Sequence, residues 1–232
     1  MIPLQFALRR RMMMAGGGGA PISDLPLGAL INVGTDGGAG APNYEIADKD
    51  NLVSGGVVLV RKNIYSSSKF GEYSFYANST LDNLVKTTIY NRMPQKLRNK
   101  MMDVTFALAG AESITRKMFV PTKTMMGGGV NSTYEGKSAM EGVGLQLYTN
   151  DASRIRTKNG SGDEWWLSSQ YSLGGYTSGY DGGVKYVNWA GQFSPYGSVC
   201  SNSDGVVPAF VIPSDTPYNA TPNTDGSYNL IL

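Results

Sequence analysis

Histidine is absent from the 232 residues, and cysteine occurs once. These two gaps exclude a Ser-His-Asp triad, a Cys-His pair, a His-ligated zinc and an intrachain disulfide. Charged residues make up only 16%, against roughly a quarter in ordinary soluble domains. No apolar run approaches the ~20 residues of a membrane-spanning helix. Thirty glycines and eleven prolines are present instead. They make the chain rich in turns without reaching the compositions that force disorder or a collagen helix. The length suffices for one sizeable core.

The formal net charge of +2 hides a split. Residues 159–232 hold one base, Lys185, and six acids, and so carry −5. Residues 1–158 carry the compensating +7. A nucleic-acid surface wants basic clusters beside aromatics. Here the aromatics gather where the bases are missing, so no nucleic-acid partner is expected.

At the amino terminus Ile2, Leu4, Phe6 and Leu8 form an apolar strip, followed by Arg9-Arg10-Arg11. A secretory signal carries its positive charge before the apolar run, not after it, so neither export nor a membrane partner is expected. Residues Ala15–Pro21 are a flexible linker by composition. Residues 1–21 therefore read as a docking arm. Ile2, Leu4, Phe6 and Leu8 seek burial in a partner, and Arg9, Arg10 and Arg11 suit an acidic surface.

Residues 22–232 read as one domain of short elements between turn clusters at 34–42, 54–56, 125–129, 159–162 and 174–183. Val57–Val60 is a continuous apolar strand candidate. Residues 103–108 alternate as a half-buried strand does, and 114–120 form another short run. Ser79 can cap a helix, with Asp82 returning a bond to the cap amide. Leu81, Leu84, Val85, Ile89 and Met93 share its inner face, and Pro94 stops it. A second, basic helix is expected from Gln95 to Met102. Residues 184–189 read as a strand. Residues 206–212 are a late apolar run whose start Pro208 demotes to an edge or bulge position. Asp225-Gly226 marks a hairpin turn. The whole is an α+β chain rather than a βαβ alternation.

Several motifs fail on inspection. Gly136-Lys137-Ser138 lacks the leading glycine of a phosphate loop, since Asn131 stands there. Ser66–Lys69 fits S-x-x-K without its companion motifs. Asp163 and Glu164 are adjacent, which suits a glycosidase pair poorly. Asp181, Asp204 and Asp225 sit beside glycines and Asp215 between Ser214 and Thr216, all as turn residues in no calcium-loop spacing. Cys200 reads as a small buried residue. No catalytic residue, cofactor or metal is therefore assigned.

The region 160–205 differs in kind. It holds Trp165, Trp166 and Trp189, with Tyr171, Tyr176, Tyr180, Tyr186 and Tyr196 spaced by Gly, Ser and Asn. Strand alternation predicts one core and one surface tryptophan from the Trp165-Trp166 pair. Tyrosine with Gly, Ser and Asn is the composition of antibody binding loops. The candidate ligand-binding set is Tyr171, Tyr176, Tyr180, Tyr186, Asn188, Trp189 and Tyr196, with core or subunit packing as the alternative.

Glu164-Trp165-Trp166-Leu167-Ser168-Ser169, then Val184 and Gly191, then Gly205-Val206-Val207-Pro208-Ala209-Phe210 follow the order of a known pattern. The chain resembles the DUF6273 family of bacterial and phage domains of unknown function. Residues 57–60, 79–82 and 116–120 match its order too. Ser168, Gln170 and Val207 depart from it, standing where the family has Arg, Pro and Arg. The opening Ile2–Arg11 is similar to the start of phage structural proteins. The resemblance implies a compact, loop-rich fold of the C-type-lectin or formylglycine-generating-enzyme kind. It also implies a virion protein, tail- or fibre-associated, homo-oligomeric and bound to other virion proteins, with a host-surface glycan or protein as ligand. A head-decoration protein without a host ligand is the alternative, and a cell-wall-degrading enzyme the second.

Overall fold

A computed structural model describes residues 19–108, 113–129, 141–170, 183–195 and 197–232. They form a sheet-rich α+β domain with few, short helices.

A six-stranded sheet runs in the order Tyr228–Asn229, Leu30–Asn32, Asn43–Lys49, Gly56–Arg61, Ala209–Pro213 and Met118–Phe119. All its pairings are antiparallel except the first. The predicted Val57–Val60 strand lies in its middle and is buried along its whole length. That explains an apolar run without alternation, since both faces are covered. Pro208 stands one residue outside the Ala209–Pro213 strand, where a missing amide costs no ladder bond. That strand is an interior one, so Pro208 marks a strand start rather than an edge.

The helix predicted after Ser79 is present. Ser79 Oγ accepts from Asp82 N at 3.0 Å. The Asp82 carboxylate accepts from Asn78 N rather than from the cap amide, and it also pairs with Arg116 and Lys86. The helix passes from Thr80–Asn83 through a π-helical stretch, Leu84–Ile89, to Tyr90–Arg92. Leu81, Val85, Ile89 and Met93 are buried, and the chain turns extended at Met93, before Pro94. The regular part of the second helix, Gln95–Arg98, is shorter than expected.

A five-stranded sheet runs in the order Ser198–Val199, Gly183–Val187, Trp165–Gln170, Ser203–Gly205 and Ser67–Lys69. Its Trp165–Gln170 strand corrects the expected alternation, because Trp165 and Trp166 are both fully buried. Each face of this strand is covered. On one side Trp166 meets Phe70 edge-on at 5.7 Å and donates from Nε1 to Ser68 O at 2.8 Å. On the other, Trp165 lies against the Arg156 guanidinium and donates to Arg154 O.

Arg156 also joins the two sheets. It comes from the Arg156–Lys158 strand, which pairs with Ser161–Asp163 across the Asn159-Gly160 turn. Its guanidinium pairs with Glu45 of the six-stranded sheet and donates to the Tyr148 hydroxyl at 2.7 Å. Tyr148 in turn donates to Glu45. A second buried pair, Arg61–Asp36, has Tyr44 donating to the same carboxylate.

Ala20–Pro21 pairs with Pro217–Tyr218, so the described fold takes in the chain from its second described residue. A Cβ on Gly19 would lie 2.2 Å from Tyr218 O and 2.7 Å from Ile231. The amino-terminal segment therefore enters the domain beside the carboxyl-terminal one.

Candidate functional site

The Gly183–Val187 strand ends in a tight turn, and Trp189 stands on it. Asn188 organises this turn. Its Oδ1 accepts from Ala190 N and from Gln192 N, both at 3.0 Å. Its backbone amide donates to Gln192 O, and Gly191 N donates back to Asn188 O. Val187 bridges Phe193 beyond the turn.

The turn is pressed against the body. Gly191 has φ +83°, and a Cβ there would lie 1.9 Å from Asp151 O. A Cβ on Gly162 would lie 2.6 Å from Trp189 O. Only glycine fits either position. Arg154, stacked on the Phe193 ring at 4.4 Å, donates to Gly191 O. Trp189 is thus held by its backbone while its side chain stays 66% exposed, the most exposed large apolar side chain among the described residues. Tyr186 is half-buried on the strand leading to it.

Of the sequence-predicted ligand set, the structure brings Asn188 and Trp189 into one turn with Tyr186 behind them. Asn188 shapes the turn, because its acceptor is used inside it. Tyr171, Tyr176, Tyr180 and Tyr196 lie outside the described residues, as do Ile2, Leu4, Phe6, Leu8, Arg9, Arg10 and Arg11 of the arm.

Sequence reasoning missed what stands beside Trp189. Trp165 pairs with Val187 and Trp166 with Tyr186. Continuing that register puts Glu164 opposite Asn188 and Asp163 opposite Trp189. On the far side of Trp165, Gly205 pairs in parallel and donates to Glu164 O, which puts Asp204 next to Glu164. Three carboxylates therefore lie near the end of the five-stranded sheet that carries the exposed indole, and alternation along the strand turns Asp163 and Glu164 to opposite faces. The signal was the strand register, which no local window contains.

Asp204 feels this crowding. Its Oδ2 is buried without a hydrogen-bond partner. Burial first, and the Glu164 charge second, push its carboxyl up to about 6. The fold therefore favours the protonated form. The contribution of this one carboxyl to stability is greatest below about pH 4, falls as pH rises from there to about 6, and stays level above. The Asp204→Asn variant, which cannot ionise, is expected to be more stable than the parent at pH 7 by about 1 kcal/mol, since solvent screens a partly exposed group. Urea denaturation at pH 7 and at pH 4 checks this, with the gain vanishing at the lower pH.

A second polar group lies deeper. Ser169 Oγ donates to the buried Glu141 carboxylate and accepts from Lys123 N at 2.7 Å. Lys185 is buried nearby, and burial, then the Lys123 charge, push its amine down to about 8. Ser169, Glu141 and Lys185 are sealed from solvent, which suits a structural network better than a site open to substrate.

The family model described as "Domain of unknown function (DUF6273)" matches residues 54–214. This is more than half of the chain, and the chain belongs to that family. No curated protein and no solved structure matches it.

Proposed function

We propose that this DUF6273 protein is a bacteriophage virion component, tail- or fibre-associated, that recognises the host surface by contact rather than by catalysis. The supporting observation is Trp189, an indole left two-thirds exposed on a turn whose backbone is fixed by hydrogen bonds and by contacts that admit only glycine. An exposed tryptophan costs a fold solubility, while a fixed one loses little entropy on binding. Its flat face suits the apolar C–H face of a sugar ring or an apolar patch on a protein. The tyrosine- and glycine-rich stretch 171–182 flanks it in sequence and supplies further contacts. Residues 1–18, with their apolar strip and three arginines, seat the domain in the particle. Repeated copies then convert weak contacts into avidity.

Trp189→Ala tests the reading. The side chain is exposed, so the fold should change in stability by less than about 0.5 kcal/mol. Adsorption of particles to host cells should drop about tenfold or more as avidity is lost. Unchanged adsorption would refute the recognition role. Imaging of the intact particle tests the location, with the expected density at the tail or its fibres; a position on the head would favour decoration.

A further inference from the structure

We propose that the basic outer face of the helical segment 83–102, with the chain that enters beside it at Gly19, docks on an acidic face of a neighbouring virion protein. This rests on the virion-component reading and gives it the surface by which the domain is seated. Three observations carry it.

The first is a surface of one sign. Residues 83–102 hold Lys86, Arg92, Lys96, Arg98 and Lys100 and no acid. Leu81, Val85, Ile89, Met93, Leu97 and Met101 recur at every fourth residue through both helices and past Pro94, and all six are buried. That stripe takes the inner face, which leaves the bases on the outer one. Arg92, Lys96 and Lys100 are exposed, and Lys86 and Arg98 are half-buried.

The second is that this charge is not neutralised within the domain. Among the described residues only Lys86 of the five enters an ion pair, and it shares Asp82 with Arg116. Arg92 donates to the Tyr65 hydroxyl at 2.7 Å, and Arg98 donates to the side chains of Asn91 and Gln95. These neutral acceptors orient the guanidinium groups and leave their charge in place. The Lys100 amine donates to no group among the described residues. Bases so gathered repel one another, and an acidic partner relieves that repulsion.

The third is where the amino-terminal chain enters. A Cβ on Gly19 would lie 2.7 Å from Ile231, and Lys96 Nζ donates to the oxygen of the next residue, Leu232, at 3.0 Å. The chain before Gly19 therefore joins the domain at the rim of the basic face, where Ile231 is also exposed. Residues 1–23 hold Arg9, Arg10 and Arg11 and no acid. Carrying the same sign as the face, they suit the same partner, and two attachments to one partner reinforce each other. The strip Ile2, Leu4, Phe6 and Leu8 needs an apolar surface besides, which a protein presents and a chain of phosphates does not. A second copy fits less well, because its acidic half is the one that carries Trp189 toward the host.

The test is cross-linking of intact particles with a carbodiimide, read by mass spectrometry. The reagent activates a carboxyl and couples it to an amine in contact with it, leaving as its urea. Lys96 or Lys100 should be joined to an Asp or Glu of another virion protein. Particles made with Lys96→Glu and Lys100→Glu together should hold about tenfold less of this protein, and raised salt should strip the parent from purified particles. Both side chains are exposed, so the melting temperature should hold. Lys69→Glu with Lys158→Glu makes the same change of charge beside the Ser67–Lys69 strand and should leave the content unchanged. The cross-link uses the unaltered protein and so decides the matter where a variant folds poorly. Four results would overturn the inference: coupling of the two lysines only to acids of this same sequence, no coupling of either while other lysines of the protein react, normal content of the Lys96/Lys100 variant, or equal loss in both double variants. Absence of the parent protein from the particle overturns the virion reading beneath it.

Discussion

Replacing Arg156 by methionine will destabilise the domain by about 3–5 kcal/mol, because it leaves a buried carboxylate without its partner. Arg156 is fully buried and Glu45 nearly so. The guanidinium gives one nitrogen to both Glu45 and the Tyr148 hydroxyl, and another to the carbonyls of Ser153 and Ile155. It also lies against the Tyr148 and Trp165 rings. Methionine fills much of the volume and removes every one of those bonds. Lys62 remains 3.1 Å from Glu45 Oε2, but it is half exposed and reaches only the outer oxygen. It offsets part of the loss, which sets the expectation toward the lower end of the range. Urea denaturation measures the effect. The double variant with Glu45→Gln should cost less than the sum of the two single ones, because the residues act as one unit. A loss below about 1 kcal/mol for Arg156→Met would mean that the pair is solvated and does not tie the sheets together.

The three tryptophans will separate sharply when each is replaced by alanine. Trp166→Ala is expected to cost about 3–5 kcal/mol, since it opens a cavity against Phe70 and strands the Ser68 carbonyl that the indole satisfies. Trp165→Ala should fall in the same range and also deprive the Arg156 guanidinium of a ring face. Trp189→Ala should be near neutral, in keeping with its 66% exposure. Thermal melts of the three variants decide the matter. A large loss for Trp189→Ala would make that ring part of the packing and remove it as a contact surface. A small loss for Trp166→Ala would contradict the two-sided covering of the central strand.

That two-sided covering marks where the sequence could be read and where it could not. Val57–Val60 was legible because a run of four apolar residues needs both faces buried, and the strand is indeed the middle of a sheet. The helix after Ser79 was legible because cap, spacing and Pro94 are local signals. Trp165-Trp166 misled for a physical reason. Alternation separates inside from outside only when one face of a sheet meets water, and here neither does. Arg61 and Arg156 were invisible as interior residues. Each is charged, and their acidic partners lie 25 and 111 residues away. No local window contains both halves of such a pair.

The site was half legible. The surface tryptophan that alternation predicts from the Trp165-Trp166 pair is absent, and the exposed indole is Trp189 of the candidate ligand set. Asn188 was expected to touch a ligand, while the structure uses its carbonyl oxygen to close the turn. Asp163, Glu164 and Asp204 were set aside as a poor catalytic pair and an ordinary turn residue. The register of the Trp165–Gln170 strand brings Asp204 level with Glu164 and Asp163 level with Trp189, a placement no local window contains.

Recognition through one exposed ring has a direct spectroscopic signature, because the chain holds only three indoles. Two of them donate to backbone carbonyls inside the fold, and the third points to solvent. Titrating soluble host-envelope fragments into the labelled protein while following the three indole N–H resonances isolates the contact. The Trp189 signal should shift or broaden while those of Trp165 and Trp166 hold still. If all three stay fixed at saturating fragment, or if the two interior signals move and Trp189 does not, recognition at this turn is contradicted.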